Sequence, residues 1–160
     1  MSSVIGIDGC RAGWITAKVD NKNSLSFHII ENLNDDYLKQ IKLSYIGIDI
    51  PLQLSQTGKR LAEIEARSLL KKRACTIFSP PTLNALRAKN YIDACEVNFK
   101  ECGNRISKQS WNLFPKIIEA HKFLENNSIS KLEVFEVHPE LSFMAMNDMN
   151  LIEASKKTDI

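Results

Sequence analysis

The first third of the chain alternates apolar and polar positions as β-strands do, and the middle shifts to helical spacing. Val4 to Asp8 is the first predicted strand. Gly9 and Gly13 bracket a turn, Cys10-Arg11-Ala12, and Trp14 to Val19 is the second. Asp20-Asn21-Lys22-Asn23 is a polar turn of hairpin type leading to a third strand, Leu25 to Ile30. Asn34-Asp35-Asp36 then caps a short helix running to about Leu43, since a side-chain oxygen there can accept from a free helix amide. Tyr45 to Ile50 is a fourth strand, and Pro51, lacking a donor, stops its ladder.

Helices follow. Thr57 or Gly58 opens one that runs to about Lys72. Its apolar stripe is Ala62, Ala66, Leu69 and Leu70, with Lys59, Arg60, Glu63 and Arg67 largely outside it. Ser79-Pro80-Pro81 breaks the chain. Helical patterns resume over Asn84–Lys89, Tyr91–Cys102 and Lys108–Asn126. Gly103-Asn104 separates the last two, and Pro115 predicts a kink or restart. Lys131 to His138 returns to β, Pro139 ends it, and Leu141 to Met146 is a short helix before a polar tail.

One short sequence occurs twice: Ile5-Gly6-Ile7-Asp8 and Ile46-Gly47-Ile48-Asp49. Each copy reads as a buried strand ending in a carboxylate. Two such ends side by side hold like charges together, which is unfavourable unless a cation or proton is shared. The plainer reading is two strand ends that each place an Asp at an exposed turn.

Composition narrows the class without choosing a function. The 160 residues suffice for one domain, 1–160, with 44% hydrophobic and 25% charged residues as in ordinary globular proteins. A net charge of +2 permits a nucleic-acid partner without arguing for one. The N-terminus lacks a signal-peptide pattern, and no apolar run approaches the ~20 residues that span a bilayer. No membrane association and a cytoplasmic location are the expectation. Cys10, Cys75, Cys95 and Cys102 form no C-x-x-C pair, so reduced structural cysteines are expected, with a zinc site from Cys95, Cys102 and a histidine as the weaker reading.

The order is three strands, helix, strand, several helices, strand. That is the layout of an α/β, RNase H-like mixed sheet: three antiparallel strands plus parallel strands, with flanking helices and a helical insertion over about 74–128. In it the first and fourth strands run parallel side by side, bringing Asp8 next to Asp49 at the carboxyl edge where open α/β sheets bind ligands.

The motifs carry a resemblance. Ile5 to Trp14, Ile46 to Leu52, Ile77-Phe78-Ser79-Pro80-Pro81, Ser107 to Trp111 and Pro115-Lys116-Ile117 resemble the domain-of-unknown-function 429 family. So do Glu136-Val137-His138-Pro139-Glu140-Leu141-Ser142-Phe143 and Ser155-Lys156-Lys157-Thr158. That family is regarded as a predicted nuclease of RNase H-like fold. Its members look longer, continuing to a C-terminal helix with a further acidic pair. The chain is therefore expected to be shortened at its C-terminus, with a homodimer as a candidate way to cover the sheet face left open.

For the chemistry, two-metal phosphodiester hydrolysis needs carboxylates around cations roughly 4 Å apart. Asp8 and Asp49 are the bridging candidates and Glu136 the third ligand, holding Mg²⁺ or Mn²⁺. Otherwise Glu136 pairs with Arg11 or Lys116. His138 is the candidate proton carrier, or else a backbone-bound histidine before a proline. Arg11, Arg73, Lys116, Lys156 and Lys157 are candidate phosphate contacts. Arg11 has a null role in neutralising the aspartates, and Arg73 one in favouring a helix C-terminus. His28 and His121 are expected in surface or core roles, and Trp14 and Trp111 in the core rather than stacked on bases. The leading function is a metal-dependent nuclease or phosphodiesterase acting on nucleic acid or a small phosphodiester. The alternatives are phosphoryl transfer of the actin or sugar-kinase kind, and a non-catalytic module that binds nucleic acid or protein.

Overall fold

A computed structural model describes residues 3–34, 36–40, 44–127 and 133–152. Its centre is a five-stranded mixed sheet in the order β3-β2-β1-β4-β5. The strands are β1 Ser3–Cys10, β2 Gly13–Val19, β3 Leu25–Ile30, β4 Ser44–Ile48 and β5 Glu133–Glu136. β1, β2 and β3 are antiparallel neighbours, whereas β4 joins β1, and β5 joins β4, in parallel. This is the RNase H-like arrangement that the order of elements predicts.

The helices are α1 Asp36–Lys39, α2 Leu61–Leu70, α3 Leu83–Leu86, α4 Tyr91–Cys102, α5 Lys108–Asn112, α6 Phe114–Asn127 and α7 Pro139–Met146. A 3₁₀ segment, Lys71–Thr76, follows α2. Caps set several boundaries. The side chains of Thr82, Asn90 and Ser107 accept from the amides of Ala85, Asp93 and Ser110, and Gly103 ends α4 in the left-handed region at φ 75°. The expected Lys108–Asn126 helix is two helices. The restart at Phe114 places Pro115 in the first turn, where its missing N–H costs nothing. α7 begins at Pro139, two residues earlier than predicted, for the same reason.

The sheet's two faces differ. Ile5, Ile7, Trp14, Ile30, Ile46 and Ile48 point to one face and are buried against Ala94 of α4 and Phe114, Ile117, Ala120 and Phe123 of α6. Trp14 is 0% exposed, and its indole Nε1 donates to Glu119 Oε1 at 2.9 Å, which also accepts from the Leu33 amide at 2.7 Å. That settles Trp14 as core. Trp111 is partly buried among Tyr91 and Phe114. The other face carries Val4, Ile15, Val19, Leu25, Phe27, Ile29, Tyr45 and Phe135, all exposed. A second small core, Ala66, Leu70, Ile77 and Met144, joins α2 to α7.

Differences from expectation centre on α2. It starts at Leu61 rather than Thr57, and its buried positions are Glu63, Ala66 and Leu70, with Ala62 and Leu69 exposed. The buried stripe is rotated by one position because Glu63, at 8% exposed, turns inward to an ion pair described below. The predicted ends of the first helix near Leu43 and of the last strand at Lys131 fall outside the described residues, as does Asp35.

The β1–β2 turn has no room for a side chain at Gly13. Its φ is 131°, and a Cβ there would lie 2.2 Å from the Ile30 carbonyl oxygen. Gly13→Ala is expected to destabilise the fold by roughly 3 kcal/mol, from strain plus displacement of β3. Urea unfolding of the variant against the parent measures it, and an unchanged midpoint would contradict this account of the turn.

Candidate functional site

The site grows from the register of two strands. Ile5 pairs with Ile46, Gly6 with Gly47 and Ile7 with Ile48, so the two tetrapeptides lie side by side, residue for residue. The Asp49 amide donates to the Ile7 carbonyl at 3.2 Å, the last rung of that ladder. The next position on each strand is an aspartate. Neighbouring strands run ~4.8 Å apart, so Asp8 and Asp49 leave the same sheet edge as adjacent residues. Asp8 is exposed and Asp49 half-buried.

A cavity of about 230 Å³ adjoins Asp49 at the carboxyl ends of β4 and β5. Its polar walls are Asp49, Arg60, Glu63, Glu136 and His138. Glu136 is bound to Arg60: Nη2 donates to Oε1 at 2.7 Å and to Oε2 at 2.8 Å, and the Leu52 amide donates to Oε2 at 2.9 Å. Arg60 Nε lies 3.4 Å from Glu63 Oε2. One guanidinium thus serves two carboxylates from α2 and β5. Burial raises the Glu63 pKa from its ordinary 4.5, against the attraction of Arg60, and the charge of Glu136 adds to the rise.

His138 closes the β5–α7 junction as the residue before Pro139. Its carbonyl accepts from the Ser142 amide at 3.0 Å, while its Nδ1 is buried with no hydrogen-bond partner. Arg60 Nη1 is likewise buried and unpartnered. Such atoms cost about 1–3 kcal/mol each when left unsatisfied, and both belong to residues that line the cavity.

The remaining sequence candidates are scattered. Arg11 is exposed in the β1–β2 turn and makes no ion pair among the described residues. Glu136 therefore pairs with neither Arg11 nor Lys116, as the alternative reading had it, but with Arg60. Lys116 Nζ donates to the Gly13 carbonyl at 2.5 Å and sits 4.2 Å above the Trp14 ring, held in the hairpin turn. Arg73 binds Glu140 at 2.9 Å and the Ile152 carbonyl at 2.6 Å. Lys156 and Lys157 lie outside the described residues. His28 is exposed against Tyr37, and His121 is half-buried, its pKa lowered chiefly by burial.

No three His, Cys, Asp or Glu among the described residues are grouped to hold a metal ion. Cys95 Sγ faces the Ile106 carbonyl and Cys102 Sγ donates to Asn98 O at 3.1 Å, so each has a local partner. The carboxylates at the strand ends are of the donor type that a hard cation takes, one or two acidic side chains with water and phosphate completing the shell. With Glu136 engaged by Arg60, they do not make a three-carboxylate, two-metal cluster.

Asp8, the other aspartate candidate, lies outside the lining of this cavity. Of the polar residues that do line it, the sequence names Asp49, Glu136 and His138 as candidates but not Arg60 and Glu63. The available signal was their i, i+3 spacing on a helix that follows the second Ile-Gly-Ile-Asp and Pro51, a pairing distance that favours an ion pair.

Residues 6–159 match the model of a family described as Protein of unknown function (DUF429). No curated protein and no solved structure is similar to the chain. Among the described residues no helix is long and apolar enough to cross a membrane.

Arg60→Gln is expected to lower stability by about 2–3 kcal/mol, the lower range for breaking a buried pair because Glu136 keeps partial exposure. Chemical denaturation of the variant reads this, and a loss near zero would mean that the ion pairs are idle. Glu63 also gives a pH signature. Its folded pKa lies above 4.5, so the folded state holds the proton longer, and stability falls as pH rises from 4.5 through the raised pKa. Glu63→Gln is expected to remove that slope. A stability–pH curve of unchanged shape would refute the assignment.

Proposed function

The chain belongs to the DUF429 family, and we propose that it is a metal-assisted phosphoester hydrolase acting at the paired strand ends, Asp8 and Asp49. The observation that supports this is the ladder bond from the Asp49 amide to the Ile7 carbonyl, which continues the register so that Asp8 and Asp49 follow as neighbouring residues at one edge. Two carboxylates side by side raise the local affinity for a cation. A bound Mg²⁺ or Mn²⁺ would polarise a phosphoryl oxygen and acidify a water.

The chain's own residues would do the rest. Asp8 and Asp49 hold the cation and orient the phosphate. His138 moves the proton: with Nδ1 buried in the wall, Nε2 is the nitrogen that would exchange it with the substrate. Glu136 is a support in this reading. It is tied to Arg60 and the Leu52 amide, and so anchors the end of β5 and the His138 that follows two residues later. The engagement of Glu136 by Arg60 favours slow turnover, and it is the specific observation in favour of the second reading, a non-catalytic binding module.

Purified protein should cleave bis(p-nitrophenyl) phosphate or short single-stranded oligonucleotides slowly with Mn²⁺. Asp8→Asn and Asp49→Asn should each lower the rate by about 100-fold or more, the scale of losing one charge-stabilising group at a reaction centre. Mn²⁺ binding followed by electron paramagnetic resonance should show one ion per chain, weakened by either substitution and unaffected by Glu136→Gln. Cleavage that survives Asp8→Asn would remove the basis of the proposal, and Mn²⁺ binding without cleavage would leave the binding-module reading.

A further inference from the structure

We infer that the cavity beside Asp49 receives a nucleobase, so that the site takes a single nucleotide unit and reads its base rather than gripping a duplex. The phosphate's fate rests on the hydrolase reading above; the base pocket does not. Four features of the structure point to such a ring.

The first is size. A cavity of about 230 Å³ is below the roughly 300–1,000 Å³ of pockets for drug-sized ligands, and suits one ring system. The second is lining. Its walls are mainly apolar, from Ile50, Pro51, Ala66, Ile77, Phe78 and Leu141, and the half-buried Phe78 offers an aromatic surface to a planar group. The third is charge. Asp49, Glu63 and Glu136 face it with Arg60 as counter-charge, so a phosphate group would be repelled and a neutral ring would not. Arg60 and His138, which line the same walls, are polar side chains of the kind that a base edge, with its donors and acceptors, can engage.

The fourth feature lies outside the cavity. The sheet face on which β1 carries Asp8 presents Val4, Ile15, Val19, Phe27 and Ile29, with no lysine or arginine from β1 to β5 on that side. A duplex needs a series of cations to neutralise successive phosphates. This face has none, and Arg73 and Lys116 are held by Glu140 and by the Gly13 carbonyl. A single base inserted next to Asp49, with its phosphate left at the strand ends, uses what the face does provide.

The test separates base binding from chemistry by using nucleosides, which carry no phosphate, in EDTA, which removes any cation. Adenosine, cytidine, guanosine and uridine are titrated into the protein and followed by saturation-transfer NMR, with ribose 5-phosphate as the base-free control. At least one nucleoside should bind in the millimolar range or tighter, and ribose 5-phosphate should not. Ala62 is exposed yet lines the cavity, so Ala62→Trp should fill it from the solvent side and reduce binding at least tenfold while the thermal transition stays in place. Phe78→Ala should weaken binding several-fold. The inference is overturned if no nucleoside binds the folded parent, or if binding persists in Ala62→Trp. Hydrolysis can fail while nucleosides still bind, and nucleosides can fail to bind while phosphodiesters are still cleaved.

Discussion

The parallel pairing of β1 with β4 is the constraint on which the rest of the molecule depends. It sets two copies of Ile-Gly-Ile-Asp in register, so each residue type meets its own kind across the ladder. The isoleucines at matching positions share the buried face and build the main core. The glycines leave the opposite face low at the centre, and Val137 packs there: a Cβ on Gly47 would come within 3.1 Å of it. The aspartates follow where the ladder ends. A slip of one residue would turn Ile7 and Ile48 to opposite faces and separate the carboxylates. The core and the placement of the two aspartates therefore follow from one set of hydrogen bonds.

The second element of order is Arg60. The ends of β4 and β5 would otherwise gather Asp49, Glu63 and Glu136 around one cavity, a concentration of negative charge that burial makes worse. A guanidinium suits this position because it stays charged and offers several donors in one plane. It grips Glu136 through Nη2 and reaches Glu63 through Nε, which fastens α2 to β5 across 76 residues of chain. The raised pKa of Glu63 shows that the arrangement is not fully compensated: desolvation outweighs Arg60 at that carboxylate. The cavity wall is held by charge in a place where α2 and α7 supply only a small apolar core.

How much of this was legible follows from where each signal sits in the sequence. The strands were readable because alternation, hairpin turns and Pro51 are local, and the strand order followed from the sequence of elements. The aspartate pair was readable because the repeat announces its own register. Helix α4 was readable to the residue, since Asn90 and Gly103 cap it at both ends. The inward face of α2 was not. Hydrophobicity alone selects Ala62 and Leu69, whereas the fold buries Glu63, and an inward glutamate is tolerable only beside Arg60, whose guanidinium is held in place by Glu136, remote in sequence. Lys116 misled for the same reason. Its charge suggested phosphate, but its ammonium caps the Gly13 carbonyl and lies over Trp14, a role visible only once α6 is laid across β2.

The unequal faces of the sheet connect these points to function. On the helix-covered face, apolar side chains from every strand but β5 are fully buried, and the fold draws most of its hydrophobic stabilisation there. The opposite face is apolar but exposed, and strand alternation puts Asp8 on it, across from Ile15. Parallel strands normally have both faces covered, so β1, β4 and β5 here present surface of a kind usually found inside proteins. An acidic pair at the margin of such a surface sits beside low-dielectric walls that strengthen its field, which increases both the repulsion within the pair and its attraction for a cation. Among the strand residues of this face there is no lysine or arginine. Strand alternation thus divides the labour: the buried isoleucines make the register of β1 and β4 unambiguous, and the exposed apolar face forms the surroundings in which, on the reading proposed above, a ligand of that edge would be held.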